Sequence, residues 1–237
     1  MKMPRICASI CVLLLTSSLA WAQRTDADTA RVMGIQPPKV VSGQSTKKAP
    51  LFSGVSVSYD LCGTVMALAT PFGQYEAAVR VNLRQRFFPI VEIGLGTSDH
   101  EDEDTHLRYK TTSPYFRVGM DYNLLKNFEN RSRVLLGLRF GMSPYKFDLT
   151  GPAVQDPVYM DYYPFEYKGQ KSTMVWAEVV AGAETRIWKW FHLGWSVRYK
   201  LRLHESKPEV GNAWYGPGYG KTGGHRLGGT FNVIIEI

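Results

Sequence analysis

From Leu51 onward the chain alternates apolar and polar residues at a period of two, the spacing of a β-strand whose two faces meet different surroundings. The stretch FHLGWSVRYKLRL, residues 191–203, shows it most plainly. Phe191, Leu193, Trp195, Val197, Tyr199, Leu201 and Leu203 form one face, and His192, Gly194, Ser196, Arg198, Lys200 and Arg202 the other. The same period predicts eight strands, at about residues 51–61, 74–84, 89–98, 111–122, 132–143, 172–186, 191–203 and 225–237, and no helix.

The connecting segments alternate in length. The long ones, CGTVMALATPFGQ, DHEDEDTHLRYK, Pro144 to Lys171 and HESKPEVGNAWYGPGYGKTGG, take turns with the short QRFF, NLLKNFENR and IWKW. An even number of antiparallel strands with long connections at one end and tight turns at the other is the rhythm of an outer-membrane barrel with both termini in the periplasm.

Across the eight windows no position on the apolar parity is Asp, Glu, Lys or Arg, although charged residues make up 21% of the chain. A secreted or periplasmic soluble β-barrel binding an apolar ligand would show the same parity with its charged face in water, and it stands as the alternative. Three features favour a lipid-facing apolar side. Gly54, Gly94, Gly96, Gly119, Gly137, Gly141, Gly182, Gly194 and Gly228 share the charged face, where a narrow lumen needs room for long side chains. Phe87, Phe88, Phe128, Trp188, Trp190 and Phe191 gather at the short-turn ends, as an interfacial girdle does. The apolar faces of the last three strands are also long enough to cross hydrocarbon at a tilt.

On that assignment the charged parity points inward, and each charge needs a partner because an unpaired buried ion is strongly destabilising. The expected lumen network is Glu76, Arg80, Glu92, Arg117, Asp121, Arg139, Glu178, Arg198, Lys200, Arg202 and Glu236. Asp60, Arg84, Arg133, Glu184, Arg186 and Arg226 lie on the same parity.

Ahead of the strands the chain opens MKMPRICASICVLLLTSSLAWAQ. Lys2 and Arg5 precede an apolar run and an Ala20-Trp21-Ala22 site, so residues 1–22 read as a secretory signal peptide; its apolar core is too short for a helical span. Residues 23–50, rich in Thr, Ser, Pro and Lys without periodicity, read as a flexible periplasmic leader, and 51–237 as the barrel domain. The formal net charge of +7 includes Lys2 and Arg5. The other basic residues are spread singly along alternating strands, which gives no surface for a nucleic acid. Cys7 and Cys11 fall in the signal, so Cys62 stands alone and no internal disulfide is expected.

The segments RFFPIVEIGLG, SPYFRVGMDYN, VLLGLRFGMSPYKFD, GPAVQDPV, YKGQKS and LGWSVRYKLRL resemble, in this order, the Bacteroidota outer-membrane β-barrel family catalogued as domain of unknown function 6048. The resemblance covers about residues 50–237 and leaves out Gln23 to Pro50. It implies an outer-membrane-associated β-barrel and, for a family without assigned activity, supplies no catalytic residue.

Three constellations remain. In DHEDEDTH, residues 99–106, His100, Asp102, Asp104 and His106 offer oxygen and imidazole ligands for a divalent cation. The glycine spacing of a calcium loop is missing, so a solvated acidic loop is favoured and no cofactor is expected. Ser143, His100, His204 and Glu205 would be the parts of a rim hydrolase, but no G-x-S-x-G accompanies them, and catalysis is not expected. YMDYYPFEY and WYGPGY carry Tyr162, Tyr163, Phe165, Trp214 and Tyr219, aromatics suited to a surface that binds a glycan or protein. The expectation is therefore an all-β, antiparallel up-and-down barrel of about eight strands in the outer membrane. It would be structural or serve surface recognition, surrounded by outer-membrane lipid and glycolipid, with a side-chain-filled lumen and no nucleic-acid partner.

Overall fold

The computed structural model describes residues 50–125, 131–155, 161–206, 208, 211 and 213–237. The expected signal peptide and all but the last residue of the expected leader lie outside them. In chain order the elements are β1 (Phe52–Asp60), α1 (Leu61–Ala69), β2 (Phe72–Leu83), β3 (Phe87–Glu101), β4 (Arg108–Asn123), β5 (Ser132–Gln155), β6 (Tyr162–Arg186) and β7 (Phe191–Glu205). A short ribbon of β8 (Tyr215–Gly216) and β9 (Gly220–Lys221) precedes β10 (His225–Glu236).

Eight of the strands form one antiparallel sheet in the order β1-β10-β7-β6-β5-β4-β3-β2, closed into a barrel by the pairing of β1 with β10. Val55 and Ile237 fasten that closure through two backbone hydrogen bonds, of 3.0 and 2.8 Å. Along Ser56–Asp60 the closure gives the two end strands of the sheet a partner each.

The alternation has an outside and an inside. Register sets Val57 beside Val79, Val79 beside Val91, Val91 beside Val118 and Val118 beside Phe140. Further round, Leu138, Val179, Tyr199 and Leu227 follow one another in the same way. All of these side chains are exposed, Leu138 by 64% and Leu227 by 74%. They form an apolar belt around the ring. The opposite parity, with Arg117, Glu92, Glu178 and Arg198, is buried inside.

Three expectations about elements are corrected. A helix is present: α1 fills most of the connector expected to be a loop, capped by the Asp60 carboxylate, which accepts from the Cys62 amide at 3.1 Å. Its nine residues are apolar on nearly every side, so no helical stripe marks it. β5 and β6 run far past their expected ends at Ser143 and Ser172, because most of the supposed loop from Pro144 to Lys171 is paired. Alternation continues there with its polarity inverted: Tyr145 and Phe147 point inward and are buried, while Lys146 is exposed. Lastly, Phe88 does not join a girdle. It is buried inside, under the guanidinium groups of Arg80 and Arg133 at 5.3 and 5.5 Å, whereas Phe87, Trp188 and Trp190 are exposed; Phe128 lies outside the described residues.

Candidate functional site

Inside the ring the charges are stacked in a continuous chain. Arg117 from β4, its side chain fully buried, lies 2.6 Å from Glu76, 3.0 Å from Glu92 and 3.0 Å from Glu178. Arg198 from β7 meets Glu76 at 3.0 Å and Glu92 at 2.9 Å. Arg139 joins Glu92 to Asp121, the latter at 3.0 Å. Arg80 continues from Asp121 at 3.9 Å to Glu184 at 2.5 Å. At the short-turn end Arg133 and His192 each bridge Glu184 and Glu236, at 3.1 and 2.9 Å for Arg133 and at 3.1 and 3.2 Å for His192.

The glycines of this face make the packing possible. A Cβ at Gly137 would lie 2.0 Å from the Asp121 carboxylate, and one at Gly119 would lie 2.6 Å from Arg139. Each buried guanidinium thus finds carboxylates on neighbouring or facing strands, which is what keeps buried charge tolerable.

Above the ionic layer the lumen turns aromatic and is closed from within. Tyr109, Tyr115, Tyr145, Phe147, Met174 and Trp176 pack with Ala213, Tyr215 and Tyr219 of the last long connector. That connector folds inward as the β8–β9 ribbon. Tyr219 donates its amide to the Gly216 carbonyl at 3.0 Å across Pro217 and Gly218, with Gly218 at φ +77°, the features of a type II turn. Gly218 lies flat on the Tyr115 ring, where a Cβ would come within 2.5 Å. Its carbonyl accepts from Arg117 at 2.7 Å and from Lys200 at 2.6 Å. The plug is therefore bolted to the top of the ion-pair chain.

A family model described as Domain of unknown function (DUF6048) matches residues 3–236. The chain belongs to that family. The DUF6048 match takes in Gln23 to Pro50, which corrects the expectation that this segment falls outside the family. No curated protein and no solved structure matches the chain.

Of the residues expected in the lumen of this DUF6048 protein, Glu76, Arg80, Glu92, Arg117, Asp121, Arg139, Glu178, Arg198 and Glu236 come together in the chain of charges. Lys200 bonds to plug carbonyls instead, and Arg202 pairs with Glu205 near the end of β7. Sequence reasoning missed His192 and the plug. A single histidine carries no partner until register sets it beside Arg186 and Ile234, close to Glu184 and Glu236.

The acidic connector is not assembled as a ligand set. Asp102 accepts from the Asp104 amide and from the Thr105 amide and hydroxyl at 3.0–3.1 Å, and the Thr105 amide above all holds its carboxyl below the usual carboxylate range. His100 stacks on Trp214 with centroids 4.3 Å apart, and His106 faces Glu101 at 3.8 Å. Among the described residues, Glu184, His192 and Glu236 bring their ligating atoms within 4.8 Å of one another. Arg133 already occupies the space between those carboxylates. The parts of a rim hydrolase are scattered: Ser143 is buried and donates to the Pro114 carbonyl at 3.0 Å, while His204 is exposed. The five aromatics do not share one rim either. Tyr162 and Tyr163 are exposed on β6, Phe165 is half-buried, and Tyr219 is buried in the plug with Trp214 half-buried beside it.

Proposed function

We propose that this protein is an outer-membrane barrel that seals rather than conducts and carries a protruding hairpin for recognition at the cell surface. The observation that supports it is the inside-out polarity: an exposed apolar belt around the ring, and ion pairs where a carrier of apolar ligands would have an apolar cavity. The tight β2–β3 and β6–β7 turns would then face the periplasm, and the long connections the outside.

The hairpin of β5 and β6 supports the second half of the reading. β6 pairs with β7 from Met174 onward, and Ser206 just past β7 still bonds to Ser172 and Thr173, so the part of β6 that stands clear of that neighbour is 162–171. Tyr162, Tyr163 and Tyr167 are exposed on it, and Phe165 packs edge-on to Tyr167 at 5.1 Å. Pro164, Lys168 and Lys171 on the same stretch discourage unspecific strand addition to the free edge.

Electrophoretic mobility tests the membrane reading. Protein refolded into detergent is expected to migrate faster unheated than boiled, and to need detergent or lipid to fold at all. Cooperative folding in plain buffer, with no heat-dependent shift, would overturn it.

A further inference from the structure

The ring has a seam. β1 pairs with β10 from Ser56–Glu236 to Asp60–Asn232, and with β2 only as far as Tyr59–Ala77. Beyond that point β1 gives way to α1. Phe72–Glu76 of β2 then has a strand partner on the β3 side alone, and His225–Phe231 of β10 on the β7 side alone. The gap between these two edges is bridged by α1. The Asp60 carboxylate spans its lower corner, accepting from the Cys62 amide at 3.1 Å and from the Phe231 amide at 3.2 Å.

α1 leans to one side of the gap. Against β2 it packs at backbone contact: a Cβ on Gly73 would lie 2.2 Å from the Ala67 Cα, and one on Gly63 would lie 2.8 Å from the Gln74 carbonyl. On the β10 side, Cβ atoms at Gly228 and Gly229 would meet Lys200 and Ser196 but no atom of α1 within 4 Å. The space left over is a cavity of about 380 Å³ between α1, the start of β2, the β10 edge and the plug, within the roughly 300–1,000 Å³ range of small-ligand sites.

Its walls are of two kinds. Arg198, Lys200, Lys221 and Arg226 line it, and among the described residues no carboxylate does. Arg198 belongs to the ion-pair chain. Lys200 instead donates to the carbonyls of Gly218 and Tyr219, at 2.6 and 3.3 Å, and Arg226 to those of Lys221 and Thr222, at 2.8 and 3.3 Å. Lys221 lies over the rings of Trp214 and Phe72, at 4.8 and 5.4 Å. Among the described ion pairs within 4.0 Å, none involves these three cations, in contrast to the arginines below them. Met66, Phe72 and Leu227 supply apolar lining beside these cations. Leu227 is itself exposed, as are Val65 and Leu68 of α1.

We propose that the seam cavity binds an anionic single-chain amphiphile, its carboxylate or phosphate head held by Lys200, Lys221 and Arg226 and its acyl chain leaving between Met66 and Leu227 along the belt. The inference rests on the outer-membrane reading for the source of the ligand, a lipid, and on the seam alone for the site. Lys200 is buried, Arg226 half-buried and Lys221 exposed, and the three together supply a place for an anionic head group. Met66 and Leu227, with the exposed Val65 and Leu68, give a chain longer than the cavity an apolar way out into hydrocarbon.

The test uses the full chain folded in a non-ionic detergent, with Trp21, Trp176, Trp188, Trp190 and Trp195 changed to phenylalanine so that Trp214, under Lys221, is the one tryptophan left to report on the cavity. Dibromostearate is expected to quench Trp214 saturably, its methyl ester not, and inorganic phosphate should not compete. Lys221→Glu with Arg226→Glu, and separately Gly228→Leu, which fills the cavity, should each weaken binding at least tenfold while heat-dependent migration persists. Equal quenching by the ester, unchanged affinity in both variants, or displacement by inorganic phosphate would each overturn the proposal. A barrel that shows the heat-dependent shift but no saturable quenching would sink the seam site alone. Charge-dependent quenching in a protein that folds without detergent would sink the membrane reading alone.

Discussion

Two neighbours on β7 carry opposite consequences. Val197 belongs to the exposed belt, and Arg198 is buried between Glu76 and Glu92. Val197→Arg is expected to lower stability in lipid by about 2–4 kcal/mol, the range for a cation placed on the lipid face near the midplane of a barrel. It should do so without disturbing the lumen. Arg198→Ala strips three carboxylates, Glu76, Glu92 and Glu178, of a shared cation, and removing one partner of a buried pair is expected to lower stability by about 3–5 kcal/mol. Urea midpoints in lipid vesicles measure both. Loss from Arg198→Ala alone would mean that the belt is not in hydrocarbon. At this scale the sequence was informative because the rule is binary: parity alone told Val197 from Arg198. It could not tell Lys200 from Arg198, two residues apart on one face. Their difference lies in the plug carbonyls that meet Lys200, and those come from a connector without periodicity.

Among the elements, the plug depends on one backbone conformation. Gly218 has φ +77° and lies against the Tyr115 ring, so a β-branched residue there is both conformationally unfavourable and sterically blocked. Gly218→Val is expected to release the β8–β9 ribbon from the lumen. The amides of Tyr219 and Thr222, bonded to the carbonyls of Gly216 and Trp214, should then exchange at least about a hundredfold faster by hydrogen–deuterium exchange. Unchanged exchange would show that the turn is held by something other than its seat on Tyr115. The eight strands were legible from their alternation, which persists wherever one face meets the belt. The upper parts of β5 and β6 were not, since Tyr145 and Phe147 turn the apolar parity inward above the belt. α1 was hidden because a short helix wedged between two strand edges needs apolar residues on several sides and shows no stripe. The G-P-G-Y turn did carry a local signal, but nothing in it says that the connector folds into the lumen.

For the whole molecule, a ring of eight strands is just wide enough to be filled by its own side chains. The cavity left within the ionic layer is about 50 Å³, room for a few water molecules, and the plug closes the lumen above it. Purified protein in planar bilayers is therefore expected to give no steady conductance; large, stable steps would require a wider ring or a pore between copies. The in-out arrangement itself can be read from two tryptophans on adjacent strands. Trp195 is part of the outer belt, and Trp176 is fully buried inside, its indole nitrogen donating to Glu178 at 2.6 Å. In vesicles whose acyl chains carry bromine, a variant keeping Trp195 as its single tryptophan is expected to be strongly quenched, and one keeping Trp176 to be left almost untouched by bromolipid and by aqueous iodide alike. Quenching of Trp195 by iodide but not by bromolipid would place the belt in water and contradict the arrangement.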